Sequence, residues 1–427
     1  MSEAYSVTDK VKELVEKGIR IPNPCCVEIG DEVRLERISG SGVVLHSGTK
    51  LYGAKTLICE GTELGYEAPV TVVDCQIGRG VKLNGGFFKG SVFLDGVEMA
   101  YGAHVREGCI LEEEARAAHT VGLKQTILFP FVTLGSLINF CDCLMSGGTD
   151  AKNHSEVGSS YIHFNYTPNQ DKATASLIGD VPTGVMLDQP PIFLGGQGGL
   201  VGPARIGHGT VIAAGTVYRN DCPEGGKLLT GGAGAAAEKD FYRGLYYGVG
   251  RKVRNNISYI AHLLALKQWY LCVRSPLFED REFGPELRDG AIEKLDIAIG
   301  ERVKRLKAFF GNMTESARIG GDLPGMKKTD RDLRLEEKIP DSWPQIEACF
   351  TQGLEASAAL DERDRFLGDL EDGRAANAGY VETIRSLDAT TRSFGTAWLH
   401  GIVERITREA FEIVPLCREA SLNPGER

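Results

Sequence analysis

The densest run of side chains able to do chemistry lies between residues 153 and 172. It reads Asn153-His154-Ser155-Glu156, then Ser159-Ser160-Tyr161-Ile162-His163-Phe164-Asn165-Tyr166, then Lys172. An imidazole in a polar, glycine-rich setting titrates near neutral pH and can take a proton from an attacking group. His154 is therefore the first candidate for a general base, and His163 is its rival. Asn165, helped by backbone amides, could polarise a carbonyl. Lys172 could hold a phosphate as a point charge. Asn153 stands beside the candidate base as a substrate contact. The competing reading is that these Asn and Ser side chains only satisfy loop backbone groups.

Three other clusters have plainer explanations. Gly195-Gly196-Gln197-Gly198-Gly199 looks like a phosphate cradle, but a nucleotide fold needs a strand before it and a helix after it. Arg243, Arg251, Lys252 and Arg254 could meet the phosphates of a nucleotide-like cofactor, or they could form a solvated or acid-paired helix face. His119 and His208 stand alone and read as scaffold residues.

The elements that must position these residues carry an unusual period. Leu194, Leu200, Ile206, Ile212 and Tyr218 are spaced by six, with glycines and small polar residues between them. A period of six is neither helical nor a simple alternation, and it marks a parallel β-helix. The pattern recurs at Ile29 and Leu35; at Leu45, Leu51 and Leu57; and at Ile77 and Leu83. It returns at Val97, Ala103 and Cys109, then at Val121, Ile127 and Thr133. Three hexads make one triangular turn, so residues 21–232 predict roughly ten turns stacked at about 4.8 Å. Residues 136–176 lose the rhythm, and excursions of this kind are where sites usually sit.

Residues 1–20 form an N-terminal unit with a short amphipathic helix over Ser6–Gly18, ended by Gly18. From 233 to 427 glycine thins and helical periodicity takes over at 255–275, 285–312, 343–371 and 375–413, with Gly320–Pro340 as a connection. The fold class is thus a mainly β N-terminal half and an α-helical C-terminal domain. The net charge of −10 argues against nucleic acid or an anionic membrane as partner. The 11 scattered cysteines show no metal spacing. No apolar run reaches the ~18 residues needed to span a bilayer, and no signal-peptide core is present. A reducing, cytoplasmic setting is expected, with no metal.

The hexads resemble those of the left-handed β-helix acyltransferases. The likeness is greatest to the acetyltransferase half of the bacterial bifunctional enzyme that acetylates glucosamine-1-phosphate and uridylylates the product. The matching blocks are Asn165-Tyr166, Lys172-Ala173-Thr174, Ile178-Gly179-Asp180, Leu200-Val201-Gly202-Pro203, Ile206-Gly207-His208-Gly209 and Ile212-Ala213-Ala214-Gly215-Thr216. The resemblance implies a homotrimer with sites between subunits and acetyl-CoA as co-substrate. It implies a sugar phosphate or nucleotide sugar as acceptor. By motif, Asn165 and Tyr166 would meet the sugar or the transfer centre, and Lys172 the phosphate. Gly196, Ala213 and Ala214 would line the acetyl-CoA groove, and His154 would be the base.

The chain departs from that pattern in three ways. His154 lies close before Asn165, the family's Ser is Gly196, and Val181–Pro191 interrupts the block. The expected function is acyl transfer. The alternative is a non-catalytic, sugar-nucleotide-binding or scaffold trimer. A pyrophosphorylase reading has no support, because nothing here resembles that domain's Gly-rich nucleotide loop.

Overall fold

Residues 7–415, apart from 232–237, 239, 280, 324–329, 353–358 and 374–378, are described in a computed structural model. Helix α1 (Asp9–Glu16) is N-capped by Thr8 and buries Val11 and Leu14 against the first coil. Lys10 Nζ donates to the carbonyls of Gly30, Asp31 and Val33, which fixes the helix over that coil.

From Glu28 to Leu229 the strands are mostly short and, apart from one small hairpin at 148–154, pair in parallel around a three-sided coil. On the first face Leu51, Val72, Phe88, Val105 and Leu123 stack in register and point inward. On the second face Ile58, Ile77, Phe93, Leu111, Leu128 and Met145 do the same. On the third face ten strands stack, with Leu64, Leu83, Met99, Ala117, Leu134 and Val157 among the inward rungs. The corners turn sharply, and Gly48, Gly61 and Gly102 take the positive φ that a side chain would strain.

Parts of the expected hexad register are shifted. Val97, Ala103, Cys109 and Val121 stand two residues ahead of the rungs Met99, Val105, Leu111 and Leu123; all four are buried, Ala103 as the first residue of its strand and the other three just before theirs. Leu57 and Ile127 point outward beside the inward Ile58 and Leu128, yet both are buried. Thr133 is an outward rung of the third face, paired with Arg116 and Glu156.

One interior rung is polar. His163 pairs in register with Leu200 and lies inside the coil, 3% exposed. Nδ1 is 2.6 Å from the Cys141 carbonyl and Nε2 is 2.7 Å from Ser176 Oγ. Burial pushes its pKa down to about 4, against the pull of the carbonyl contact.

The outward side of the second face explains the helical half. Helix α2 (Val181–Gly184) bridges coil and helices. Helix α3 (Val249–Trp269) is buried on nearly every side and continues through a π-turn, Tyr270–Arg274, into α4 (Ser275–Phe278). Then follow α5 (Gly284–Gly311), α6 (Met313–Asp322), α7 (Asp330–Gln352), α8 (Leu360–Gly373), α9 (Tyr380–Ser386) and α10 (Ala389–Ile413). The expected connection is shorter than Gly320–Pro340, since α6 runs to Asp322 and α7 passes through Pro340 and Pro344. Helix α5 packs on the second-face strands at Gln76–Ile77 and Val92–Phe93, and α3 packs on Ser176–Ile178.

A buried ion cluster fixes the two halves together. Arg274 reaches Glu113 Oε1 at 2.8 Å and Glu112 Oε2 at 2.9 Å. Tyr270 donates to Glu112 at 2.6 Å, and the guanidinium lies 3.5 Å from the Tyr380 ring centre. Burial raises the Glu112 pKa to about 7, with the Arg274 charge opposing the shift. Removing one partner strands the other charges in a low-dielectric site. Arg274→Met should therefore cost about 3–5 kcal/mol in denaturant unfolding; a change under about 1 kcal/mol would show that the cluster does not hold the halves.

The depressed His163 pKa also has a sign. Between 6.5 and about 4 the unfolded chain binds a proton that the folded ring refuses. Stability is whole above pH 6.5 and falls as the pH drops toward 4, by up to about 3 kcal/mol from this ring. Unfolding free energies at pH 7 and pH 5 should differ more for the native chain than for His163→Gln. His262, lowered to about 4 by burial, contributes alike to both. Equal pH slopes would contradict the buried neutral ring.

Candidate functional site

The polar residues singled out by sequence leave the coil at three different edges. Residues 146–155 leave between the second and third faces, residues 165–175 between the first and second, and residues 195–198 and 213–215 turn between the third and first. Within one copy of the chain His154 and Asn153, the Asn165 group, and the Gly196–Ala213–Ala214 group therefore stand on separate edges. His163 is on none of them, and a ring sealed inside the coil cannot reach an acceptor outside it.

His154 ends a small antiparallel hairpin, Gly148–Asp150 with Asn153–His154. The turn forms because Asp150 Oδ1 accepts from the amides of Lys152 and Asn153, at 2.8 and 3.1 Å. The Asn153 amide donates to Thr149 Oγ1. His154 Nδ1 sits 2.9 Å from the Ala151 carbonyl. A nitrogen facing a carbonyl must carry the proton, so Nε2 holds the lone pair a base needs. Nε2 is 4.0 Å from Glu156.

At the second edge Asn165 Nδ2 donates to Asp142 Oδ2 at 2.8 Å. Arg302 of α5 enters the same corner. It pairs with Asp142 Oδ1 at 2.8 Å, donates to Gln125 Oε1 at 3.0 Å and donates to the Lys172 carbonyl at 3.2 Å. Asp142 is thus shared between the coil and the helical half, and Arg302 is 3% exposed. The neighbouring Tyr166 is 62% exposed. At the third edge Gly195, Gly196, Ala213 and Ala214 stack so closely that a side chain on Gly196 would strike Ser159. The Gly215 amide donates to the Gly196 carbonyl at 2.9 Å. These glycines are corner residues, with backbone groups facing the edge.

The sequence reading missed two features. Arg302, Gln125 and Asp142 were not singled out, because the first lies far along the chain and the others sit in strands. His208 does not stand alone. Its Nε2 is 3.0 Å from Ser146 Oγ, and its Nδ1 is 3.7 Å from Asp180 Oδ2 and 3.4 Å from Thr183 Oγ1. The three groups have the order of a nucleophile triad, but Ser146 is fully buried and also donates to the Asp180 carbonyl. Their role is to latch the 146–155 and 179–192 excursions, with His262 of α3 accepting from the Val181 amide. The basic cluster after the coil is divided as well: Arg251 donates to the Pro203 carbonyl and meets Asp221, while Lys252 turns toward aromatic rings.

Among the described residues no group of three His, Cys, Asp or Glu side chains could hold a metal. No described helix is long and apolar enough to cross a membrane.

No protein-family model matches the chain. Several curated proteins do, all called "Bifunctional protein GlmU". The one from Thermotoga petrophila is 30% identical over 215 residues, which is 50% of this chain and 42% of that protein. Those from Corynebacterium aurimucosum and Carboxydothermus hydrogenoformans are 27% and 26% identical, over 52% of this chain and 40% and 48% of theirs. The chain spans under half the length of these relatives. Similarity at this level over half of the chain, joined to an all-parallel three-sided coil, identifies its N-terminal half as a left-handed, hexapeptide-repeat β-helix of the kind that the GlmU proteins contain.

Proposed function

We propose that the chain transfers an acetyl group from acetyl-CoA to an amine or hydroxyl of a sugar phosphate or nucleotide sugar. The observation that carries this reading is the similarity to GlmU proteins over half of the chain, joined to the parallel coil. In the reaction His154 Nε2 takes the proton from the attacking group, which adds to the thioester carbonyl. Asn165 and backbone amides stabilise the oxyanion, and the coenzyme leaves as the thiol. Gly196, Ala213 and Ala214 offer backbone groups to the pantetheine arm. Tyr166, Asn153 and Lys172 contact the acceptor.

These groups stand on different edges of one coil, so the site is completed between copies in a homotrimer. Exposed apolar rungs support that association. Phe193, Val211 and Leu228 stack in register on the third face, and Ile162 and Val217 stand on the first. A cytoplasmic setting suits ten free cysteines among the described residues.

A second reading, a non-catalytic sugar-nucleotide-binding scaffold, is favoured by one feature. Arg302 occupies the corner beside Asn165. Calorimetric binding of a sugar nucleotide with no binding of coenzyme A would select it.

The catalytic reading is tested by thiol release from acetyl-CoA with glucosamine-1-phosphate. His154→Ala should lower the rate about 10²–10⁴-fold. Equal release from both proteins removes His154 from the mechanism. Sedimentation equilibrium should give three copies; a monomer would leave the edges apart and sink the shared site.

A further inference from the structure

Asn165, the side chain assigned to the oxyanion, shares its amide with an acid. Nδ2 donates one hydrogen to Asp142 Oδ2 at 2.8 Å. The other hydrogen makes no bond among the described residues, and the side chain is half-buried. Asp142 therefore fixes which way the amide points. It also sets a carboxylate, 5% exposed, one amide away from the charge that Asn165 has to stabilise. An ionised Asp142 left alone would repel that charge, and burial would strengthen the repulsion.

The helical half removes this conflict. Gln125 and Asp142 stand one above the other at the corner, between the register pairs Lys124–Cys141 and Thr126–Cys143. Both have a left-handed backbone, with φ of 46° and 60°, and both side chains meet Arg302 of α5. The two oxygens of Asp142 are divided: Oδ1 takes the guanidinium at 2.8 Å and Oδ2 takes the Asn165 amide. Among the described residues Arg302 pairs with no other acid. A guanidinium keeps its charge in a protein, so the acid beside Asn165 stays neutralised. The same residue steadies the rest of the excursion by donating to the Lys172 carbonyl at 3.2 Å. Asn256 of α3 donates to the next carbonyl, that of Ala173, at 2.9 Å, and Thr174 Oγ1 donates to the Asn165 carbonyl at 2.8 Å.

We propose that Arg302 is a positioning residue for acyl transfer. It cancels the Asp142 charge, so that Asp142 orients the Asn165 amide without opposing an oxyanion in front of it. The proposal deepens the acyl-transfer reading and rests on it. It gives the helical half a part in the reaction through a residue that lies outside the hexads.

The test is steady-state thiol release by the full chain from acetyl-CoA with glucosamine-1-phosphate. Arg302→Met leaves Asp142 buried and unpaired. It should lower kcat about 10²-fold, the loss expected when one oxyanion donor is spoiled. KM for acetyl-CoA should hold, since Gly196, Ala213 and Ala214 stand on another edge. Arg302→Met joined to Asp142→Asn removes the charge and keeps an acceptor for Asn165, yet still lacks every Arg302 hydrogen bond. Its kcat should return to near the native value. A purely structural role would leave the double variant as slow as the single one. If Arg302→Met does not fold, the double variant and Arg302→Lys carry the comparison. Both are neutral at this corner and should keep kcat within about tenfold of native; a 10²-fold loss in both overturns the role. A fast Arg302→Met, or a double variant no faster than the single, overturns it too and leaves acyl transfer standing. A native chain that releases no thiol overturns both.

Discussion

One side of the coil is apolar on its outside as well as its inside, and the rest of the architecture follows from that. On the second face Leu57, Val92, Ile110, Ile127, Leu144 and Leu177 point away from the coil and are still almost wholly buried. Each would lose about 1.5–3 kcal/mol if left in water. A bare solenoid with such a face would aggregate. The helical half covers it, so the two halves of the chain form one packed body.

That covering shapes the chemistry at both edges of the face. On one edge Arg302 reaches over to Asp142 and closes the network around Asn165. On the other, His262 reaches the turn that carries Asp180. The third edge, with Gly196, Ala213 and Ala214, lies away from the helices. Binding groups contributed by the coil alone and groups shared with the helices are thus segregated by geometry.

Much of the coil was legible. Leu194, Leu200, Ile206, Ile212 and Tyr218 hold the inward rungs as their spacing predicts. The shifted triples arose where a second buried residue stands two positions before the rung, as Val97 does before Met99 and Cys109 before Leu111, and period alone cannot say which of the two holds the rung. The covered face also had a signal that went unread. Its strands carry doubled apolar pairs, such as Val92-Phe93, Ile110-Leu111 and Ile127-Leu128. The third face alternates, as in Lys82-Leu83 and Glu98-Met99. A strand buried on both sides reads that way. The site was less legible. His163 lies in a polar run, yet long excursions before and after it hide the register that puts it opposite Leu200. The Ser146–His208–Asp180 latch joins residues from three successive visits to one edge, and local sequence cannot show that.

The rungs to which the helices bind also fix the size of the coil. Solenoids commonly gain or shed turns, because each turn touches only its neighbours. Here Glu282 meets Ser39, Arg281 meets Asp95, Arg274 meets Glu112 and Glu113, and Arg302 meets Gln125 and Asp142. Near the far end Asn255 meets Asp221. The helices act as a ruler laid along the stack. Duplicating one turn would displace every later anchor by about 4.8 Å, far beyond the reach of a hydrogen bond. Between Ser39 and Asp221 the number of turns cannot drift unless the helices change with it, while loops that bulge sideways remain free to vary.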